Sequence, residues 1–556
     1  MHRSTSPKAA PTLAIAGCIT LAIPSLAAAA ELRVDDDAAP GGDGSPASPF
    51  ASVQAAIDAA GDGDDILVAG GTYDAFTVNG KTVNLFGSWD ADFAAQTSMT
   101  ASIVMGSADG PAVSLFEVGD TVLDSFTIRG GQRGLMIDAD YLSTTNRPTI
   151  SNNVIEQNGD PTQVGGGVLA DHCDATFEGN TIRDNVGDRG AGMATACNSI
   201  VIEDNVVSGN VGSGDHGGGL YLTGPMITLR GNTLRGNEIG VIAGYGWGAG
   251  AIVYGMGVTA TFERNVFTEN HAQSLGSGAF VDDGAVATFT GDLFYANVCG
   301  DAGGASVYVD GYDTTPSRAT LTNVTFAAHA CPEGTAGNAV TAETTSIVEV
   351  VDSIAWGNGG DDFNAIDTSM ITARYTLSEE PIEGEGNLSA DPLFADPGNA
   401  DFHVRSTKGR WANGEWVMDD VDSPTIDAGD PAADFANEPG PNGLRVNMGH
   451  TGNTAQASMG GPGGDPPMGD ESGGSDDGEM SGTDVGTDDG GDVDSGSADG
   501  SGEASDGGTD DGAPADEDMT VSCACATTDA TPPWIGVLAL VCGAALFRAL
   551  RRLRPV

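Results

Sequence analysis

Two short polar pairs are the residues of this chain most able to do chemistry. Asp188-Arg189 and Asp215-His216 each immediately precede a triplet of small residues, one repeat apart. If successive repeats stack, two carboxylates, a guanidinium and an imidazole come within reach of one another. Such a set could bind a cation or a sugar acid, or transfer protons. The alternative, which we favour from the sequence, is a charged turn that faces solvent and is held by local ion pairs.

The segment that must position these pairs is repetitive. One signature, apolar-x-x-Asn-x-apolar-x-x-Asn, occurs at residues 150–158, and its final Asn recurs every 25 to 33 residues. Further copies lie at 177–185, 202–210, 229–237, 262–270 and, more weakly, 289–297. Between them lie small-residue triplets that lead into apolar runs, at 165–167, 190–192, 217–219, 248–250, 276–278 and 303–305. Both signatures have the same period, so they belong to one repeating unit.

A repeat of roughly 27 residues with short alternating strands and no helical period predicts one coil of a parallel β-helix. Each coil would stack its inward Ile, Val, Leu and Phe side chains on those of the next coil. Asn at the turns tolerates the left-handed backbone region and can hydrogen-bond along a ladder from coil to coil. Leucine-rich and propeller repeats have similar periods, but their Leu and Trp-Asp signatures are missing.

The cysteines provide an independent check of this register. Cys173 and Cys197 occupy nearly the same position in consecutive repeats, and so do Cys299 and Cys331. Residues one coil apart in a parallel sheet lie about 4.8 Å apart, which is within bridging distance. We therefore predict Cys173–Cys197 and Cys299–Cys331 disulfides and an oxidising compartment. The alternative is that the four cysteines are buried free thiols.

The first coil needs a cap, because it would otherwise expose apolar side chains and an unpaired edge. Phe50, Val53, Ile57 and Ala60 fall at helical spacing, and Gly61 follows as a stop signal. This spacing predicts a short helix over residues 51–60 that covers the start of the solenoid.

Several motifs at both ends of the repeats resemble those of pectate-lyase-like β-helix proteins. They are the turn at 43–45, Gly71-Thr72-Tyr73, and the segments 353–358, 391–394, 423–430 and 448–454. The resemblance covers roughly residues 31–458 and implies an all-β domain with a right-handed parallel β-helix (solenoid). That family contains polysaccharide lyases, glycosidases, adhesins and proteins of unknown activity, so the fold does not select a function. The Asn-Thr-Asp and Arg-Ile-Lys motifs of its pectin-degrading glycosidases are absent from this sequence.

The formal charge of −57 excludes nucleic acid as a partner, because phosphate binding requires basic patches. Two interpretations of the acidic surplus remain open. It is either an adaptation to a saline medium, or some of the carboxylates bind divalent cations such as calcium.

The N-terminus predicts export. Basic residues precede an apolar run at 13–26, and Ala28-Ala29-Ala30 is a small-residue cleavage site, so residues 1–30 are interpreted as a signal peptide. Residues 15–18 also match a lipoprotein box, in which Cys18 would be lipidated.

The C-terminal part has two sections. Residues 459–522 are rich in Gly, Asp and Ser, and such a segment cannot bury enough apolar surface to fold, which predicts a disordered acidic linker. Residues 523–556 comprise Cys523-Ala524-Cys525, an apolar run at 534–547 and terminal arginines. This layout resembles the MYXO-CTERM sorting tail, which implies a temporary membrane anchor with Cys523 or Cys525 marking the processing site. The alternative is an ordinary C-terminal membrane anchor; a zinc site is not expected, because the two cysteines lack metal-site partners.

Two aromatic residues and a histidine also lie in predicted turns. Tyr245 and Trp247 lie in a Gly-rich turn, where they could stack on sugar rings or, as we favour, pack between coils. His172, beside Cys173, is interpreted as a turn residue.

Two functions follow from these observations. The first is a monomeric, non-enzymatic cell-surface protein that binds glycans, matrix or other cells. The second is a secreted polysaccharide lyase or glycoside hydrolase acting on acidic polysaccharide, with Asp188, Arg189, Asp215 and His216 as its candidate catalytic residues.

Overall fold

The computed structural model describes residues 29–97, 101–141, 143, 145–300, 306–331 and 335–461. Cys18, nearly all of the predicted signal peptide, the acidic linker beyond residue 461 and the tail with Cys523 and Cys525 lie outside these residues. Within the described ranges, no helix has both the length and the apolar character needed to cross a bilayer.

The described part is an all-β structure built from three long parallel sheets, which we name A, B and C. Sheet A contains Glu31–Val34, Asp65–Ala69, Asn84–Trp89, Val122–Asp124, Thr149–Ser151, Asp174–Glu178, Ser199–Glu203, Met226–Arg230, Thr259–Glu263, Val286–Thr290, Arg318–Thr322, Ile347–Val351 and Met370–Arg374. Sheet B contains Gly71–Asp74, Ser102–Met105, Phe126–Arg129, Val154–Glu156, Thr181–Arg183, Val206–Ser208, Thr233–Arg235, Val266–Thr268, Leu293–Tyr295, Thr325–Ala327, Ile354–Trp356 and Leu377–Ser378. Sheet C contains Phe76–Asn79, Pro111–Phe116, Arg133–Asp138, Val168–Asp171, Met193–Ala196, Leu220–Leu222, Ala251–Tyr254, Ala279–Asp282, Val307–Asp310, Ala336–Glu343 and Asp361–Ala365. A short fourth sheet, D, contains Val186–Gly187, Val211–Gly212, Glu238–Ile239 and His271–Ala272.

Each coil of the repeat region contributes one strand to each long sheet, and neighbouring strands come from consecutive coils. The predicted right-handed parallel β-helix is thereby confirmed. The inward side chains stack in register: Ile150 lies beside Phe177, and Phe177 lies beside Ile202. All three side chains are fully buried. These columns form the core, because each coil removes the apolar face of its neighbour from water.

The regular spacing of asparagines in the repeats produces two buried ladders. Asn205 is representative: its Nδ2 donates to the carbonyl oxygens of Phe177 and Glu203 and to Oδ1 of Asn232 in the next coil. The predicted ladder is therefore confirmed, but the left-handed backbone does not lie on Asn205. It lies on the preceding residue, Asp204, with φ +54°. The residue before the ladder makes the corner, which leaves the Asn free to direct its amide into the turn.

The predicted capping helix is present as Val53–Ala59. The Ser52 side chain accepts a hydrogen bond from the Ala55 amide and so caps the N-terminus of the helix. At the other end, Lys81 Nζ donates to helix carbonyls, including that of Ile57 at 2.8 Å. The buried face covers the first coil and comprises Val53, Ala56 and Ile57.

Both predicted cysteine pairs are bonded in the structure. The Cα atoms of Cys173 and Cys197 lie 4.5 Å apart, and those of Cys299 and Cys331 lie 4.8 Å apart. These distances match the spacing of adjacent coils, so the register deduced from the repeats is correct at both places.

Parallel pairing into the long sheets ends at Leu377–Ser378, and the rest of the described chain forms a closing segment, residues 379–461. It contains a hairpin of Phe394–Asp396 with Asp401–Val404, a 3-10 turn at Pro397–Asn399 and a hairpin of Arg410–Ala412 with Glu415–Val417. The segment packs back on the side of the coils, where Asn323 Nδ2 donates to the Asn447 carbonyl at 2.8 Å. The predicted domain at 31–458 therefore consists of a coiled part and a closing segment that is not coiled.

Candidate functional site

The structure brings the four predicted site residues together in the turns that lead into sheet C. Asp188 and Arg189 follow the strand Val186–Gly187, and Asp215 and His216 follow at a similar position in the next coil. The two turns are joined by backbone hydrogen bonds, since the Gly214 amide donates to the Asp188 carbonyl at 2.9 Å. We call these four residues the His216 cluster.

One carboxylate joins the two pairs. Asp215 Oδ1 lies 2.8 Å from Arg189 Nε and 2.6 Å from His216 Nδ1. Asp188 Oδ2 is more distant, 3.9 Å from Arg189 Nε. The cluster is therefore a hydrogen-bonded chain of Arg189, Asp215 and His216, with Asp188 at its edge.

The members of the His216 cluster differ in their access to solvent. The side chains of Asp188 and Arg189 are 38% and 34% exposed, whereas those of Asp215 and His216 are only 10% and 3% exposed. The favoured sequence interpretation of a solvent-facing turn with local ion pairs describes Asp188 and Arg189 but not the buried pair. A ligand at this surface would meet Asp188 and Arg189 first.

Three aromatic rings surround His216. Its ring centroid lies 5.0 Å from that of Tyr254, 5.2 Å from Trp247 and 5.9 Å from Tyr221. Trp247 is buried and packs between coils, as we favoured, while neighbouring Tyr245 is exposed. Sequence reasoning missed Tyr221 and Tyr254, although the alternation Leu220-Tyr221-Leu222 places Tyr221 on the outward side of its strand.

The electrostatics of the cluster keep Asp215 ionised. Burial opposes its ionisation, but the hydrogen bond and charge of His216 and the Arg189 guanidinium outweigh burial and hold the pKa of the Asp215 carboxyl well below its usual range. Burial acts in the same direction on the phenols, but there it prevails and raises the pKa of Tyr221 and of Tyr254 above the usual value. The site thus combines a fixed carboxylate and guanidinium with neutral tyrosine hydroxyls.

A cleft of about 620 Å³ lies elsewhere, between the closing segment and the coils. Its lining includes Arg264, His403 and His450. Burial is the main cause, and the charge of the nearby His403 is a smaller cause, of the lowering of the pKa of His450 to about 3, so this imidazole is neutral. The cleft does not include the His216 cluster, and sequence reasoning missed it because its walls come from segments far apart in the chain.

Comparison with known families agrees with the fold. The model described as "Right handed beta helix region" matches residues 91–267, and one described as "Disaggregatase related" matches residues 238–429. No curated protein matches the sequence.

Solved structures with similarity to this chain share little sequence with it. The pectate lyase Pel9A is 12% identical over 76% of this chain and 97% of its own, with a TM-score of 0.40. The GH136 lacto-N-biosidase of Eubacterium ramulus is 11% identical over 62% of this chain and 67% of its own, with a TM-score of 0.32. XylC, solved in complex with xylose, is 10% identical over 66% of this chain and 87% of its own, with a TM-score of 0.35. At these values the three structures carry no argument about substrate or activity.

Proposed function

We propose that this protein is an exported surface protein that binds carboxylate-bearing glycans at the His216 cluster and does not cleave them. The observation that supports this proposal is the hydrogen-bonded chain of Arg189, Asp215 and His216 beside the rings of Tyr221 and Tyr254.

The accessible groups of the cluster suit a sugar acid. The Arg189 guanidinium offers a planar set of donors that match a carboxylate, and Asp188 accepts hydrogen bonds from hydroxyl groups. The half-buried rings of Tyr221 and Tyr254 offer apolar surface for the C–H faces of a sugar, and their hydroxyls add polar contacts. The buried Asp215 fixes Arg189 from behind, which reduces the entropy lost when a ligand is bound.

The same geometry disfavours proton transfer. A general acid or base needs a pKa near the working pH and a free path to the substrate. The pKa of Asp215 is held far below neutrality, and its Oδ1 already accepts from two donors. His216 is almost completely enclosed by the protein. These properties fit a residue pair that positions Arg189 better than one that acts on a glycosidic bond.

The test is to measure binding and cleavage together on the full-length protein. With alginate and polygalacturonate as probes, we expect retention without release of unsaturated or reducing ends. Arg189→Ala removes the planar donor set, so we expect it to weaken retention at least tenfold. Arg189→Lys keeps the positive charge but loses the planar pair of donors. Its retention should therefore lie between that of the parent protein and that of Arg189→Ala.

Arg235→Ala is the matched control, because Arg235 is an outward arginine on sheet B that pairs with Glu269 at 2.9 Å. It should change retention less than twofold. If the protein cleaves either polysaccharide, and if Asp215→Ala abolishes that cleavage, the protein is an enzyme and the binding proposal is wrong. If Arg189→Ala and Arg235→Ala weaken retention equally, the His216 cluster is not the binding site.

We also propose that the C-terminal tail holds the exported protein at the envelope temporarily, as its resemblance to the MYXO-CTERM layout implies. The protein would then be cut near Cys523 or Cys525 and remain at the cell surface. We expect mass spectrometry of the surface-exposed protein to find a C-terminus in this region and no peptide from 534–547. Recovery of peptides from 534–547 in that protein would instead support an ordinary membrane anchor.

A further inference from the structure

A second group of chemically capable side chains lies on sheet C, outside the His216 cluster. Asp138 and Asp171 end the strands Arg133–Asp138 and Val168–Asp171, which pair in register through Ile137 and Ala170. The two carboxylates therefore stack in neighbouring coils. His172, as predicted, lies in the turn directly after the second strand.

The His172 imidazole lies within reach of both carboxylates. Its Nδ1 is 3.0 Å from Asp138 Oδ1 and 3.6 Å from Asp171 Oδ1. One oxygen from each carboxylate and one ring nitrogen all lie within 4.8 Å of one another. The 3.0 Å contact is a hydrogen bond between the imidazole and Asp138. Ligand atoms that each lie about 2.0–2.2 Å from one ion, at angles of about 90–110°, are separated by about 2.8–3.6 Å, so an ion can replace the hydrogen-bonded proton with little movement of the three side chains.

The surroundings fix the three ligands and leave the site open. The Ala139 amide donates to Asp138 Oδ1 at 2.8 Å, and the His172 amide donates to Asp171 Oδ1 at 2.9 Å. The Cys173–Cys197 disulfide follows His172 directly and ties this turn to the next coil. Each of the three side chains is about one-third exposed, which leaves room for water to complete the coordination sphere.

We propose that Asp138, Asp171 and His172 bind one divalent transition-metal ion of the zinc class. Two stacked carboxylates repel each other, and a dication neutralises both at once. The imidazole nitrogen selects against calcium and magnesium, which take oxygen ligands, and in favour of zinc, cobalt, nickel or copper. This site is separate from the glycan surface proposed above and does not depend on it.

The experiment is a titration of the full-length protein with cobalt(II) and then zinc(II), followed by visible absorption and calorimetry. We expect one ion per chain to bind more tightly than a weak background from the other carboxylates, and zinc to displace cobalt. His172→Ala should weaken this binding at least tenfold. Asp138→Asn and Asp171→Asn, which keep an oxygen for the backbone amides, should each weaken it as well.

His271→Ala is the matched control, because His271 is a half-buried histidine in a strand of sheet D, away from this group. It should leave the tight site unchanged. Circular dichroism of each variant checks that the coils are intact, and the two Asn variants test the site even if His172→Ala disturbs its turn. The proposal is overturned if cobalt affinity changes less than twofold in folded His172→Ala or in both Asn variants. It is also overturned if an equal concentration of calcium displaces cobalt.

Discussion

Phe294→Ala is expected to lower the free energy of unfolding by about 4 kcal/mol. Phe294 is fully buried and lies in the middle of a column of rings. Its centroid is 4.4 Å from that of Phe267 in the preceding coil and 5.2 Å from that of Phe326 in the next coil. Truncation leaves a cavity that neither neighbour can fill, because each ring is fixed by its own coil.

The measurement is chemical denaturation of the full-length protein followed by circular dichroism. A solenoid can lose its coils locally, so hydrogen exchange in the strands around Phe294 should locate the damage. Val286→Ala is the control, since Val286 is an outward residue on a nearby strand and 37% exposed. It should cost less than about 0.5 kcal/mol. Equal effects of the two substitutions would mean that the ring column does not hold these coils together.

The fold could be predicted from the sequence because each coil repeats the same physical problem. Inward apolar residues, a ladder Asn and a small triplet recur at one period. An ambiguous assignment of strands and turns in one repeat is therefore resolved by the same positions in the other repeats. The pairing of Cys173 with Cys197 followed from that period alone. The closing segment has no such repetition, and its contacts, such as that of Asn323 with Asn447, join residues far apart in the chain.

The candidate site was predictable in part for the same reason. Asp188 and Asp215 occupy similar turn positions in adjacent coils, so their proximity follows from the register. The depth of Asp215 and His216 did not follow, because it depends on the rings of Tyr221, Trp247 and Tyr254, which arrive from three different strands and turns. Periodicity locates a residue along the coil, whereas burial depends on what the neighbouring coils place above it.

One of the two Asn ladders ends in an acid, and this gives the second large prediction. Asp292 Oδ1 accepts from the amide and the side chain of Asn265 at 2.7 and 2.9 Å, where the earlier coils have an asparagine. Burial, partly offset by hydrogen bonds from Asn265 and Thr290, raises the pKa of Asp292 from 3.8 to about 7. The folded protein therefore holds this proton more tightly than the unfolded chain does.

The sign of the pH dependence follows from linkage. Because the folded-state pKa is the higher one, the contribution of Asp292 to stability is complete below about pH 4 and is lost as the pH rises through about 7. Between pH 5 and 8 the loss is about 3 kcal/mol. Asp292→Asn removes the ionisable group, so we expect the variant to lose less stability than the parent protein over this range.

Denaturation midpoints of both proteins at pH 5, 6, 7 and 8 test this expectation. Asp204→Asn is the control, because Asp204 is exposed and directly precedes a ladder residue. It should leave the slope unchanged. Part of the slope should survive Asp292→Asn, since burial also raises the pKa of Asp352 and Asp362 to about 6 and that of Glu438 to about 7. A slope identical in Asp292→Asn and the parent protein would mean that Asp292 is already ionised in the folded ladder, held by the amide donors of Asn265 and Thr290.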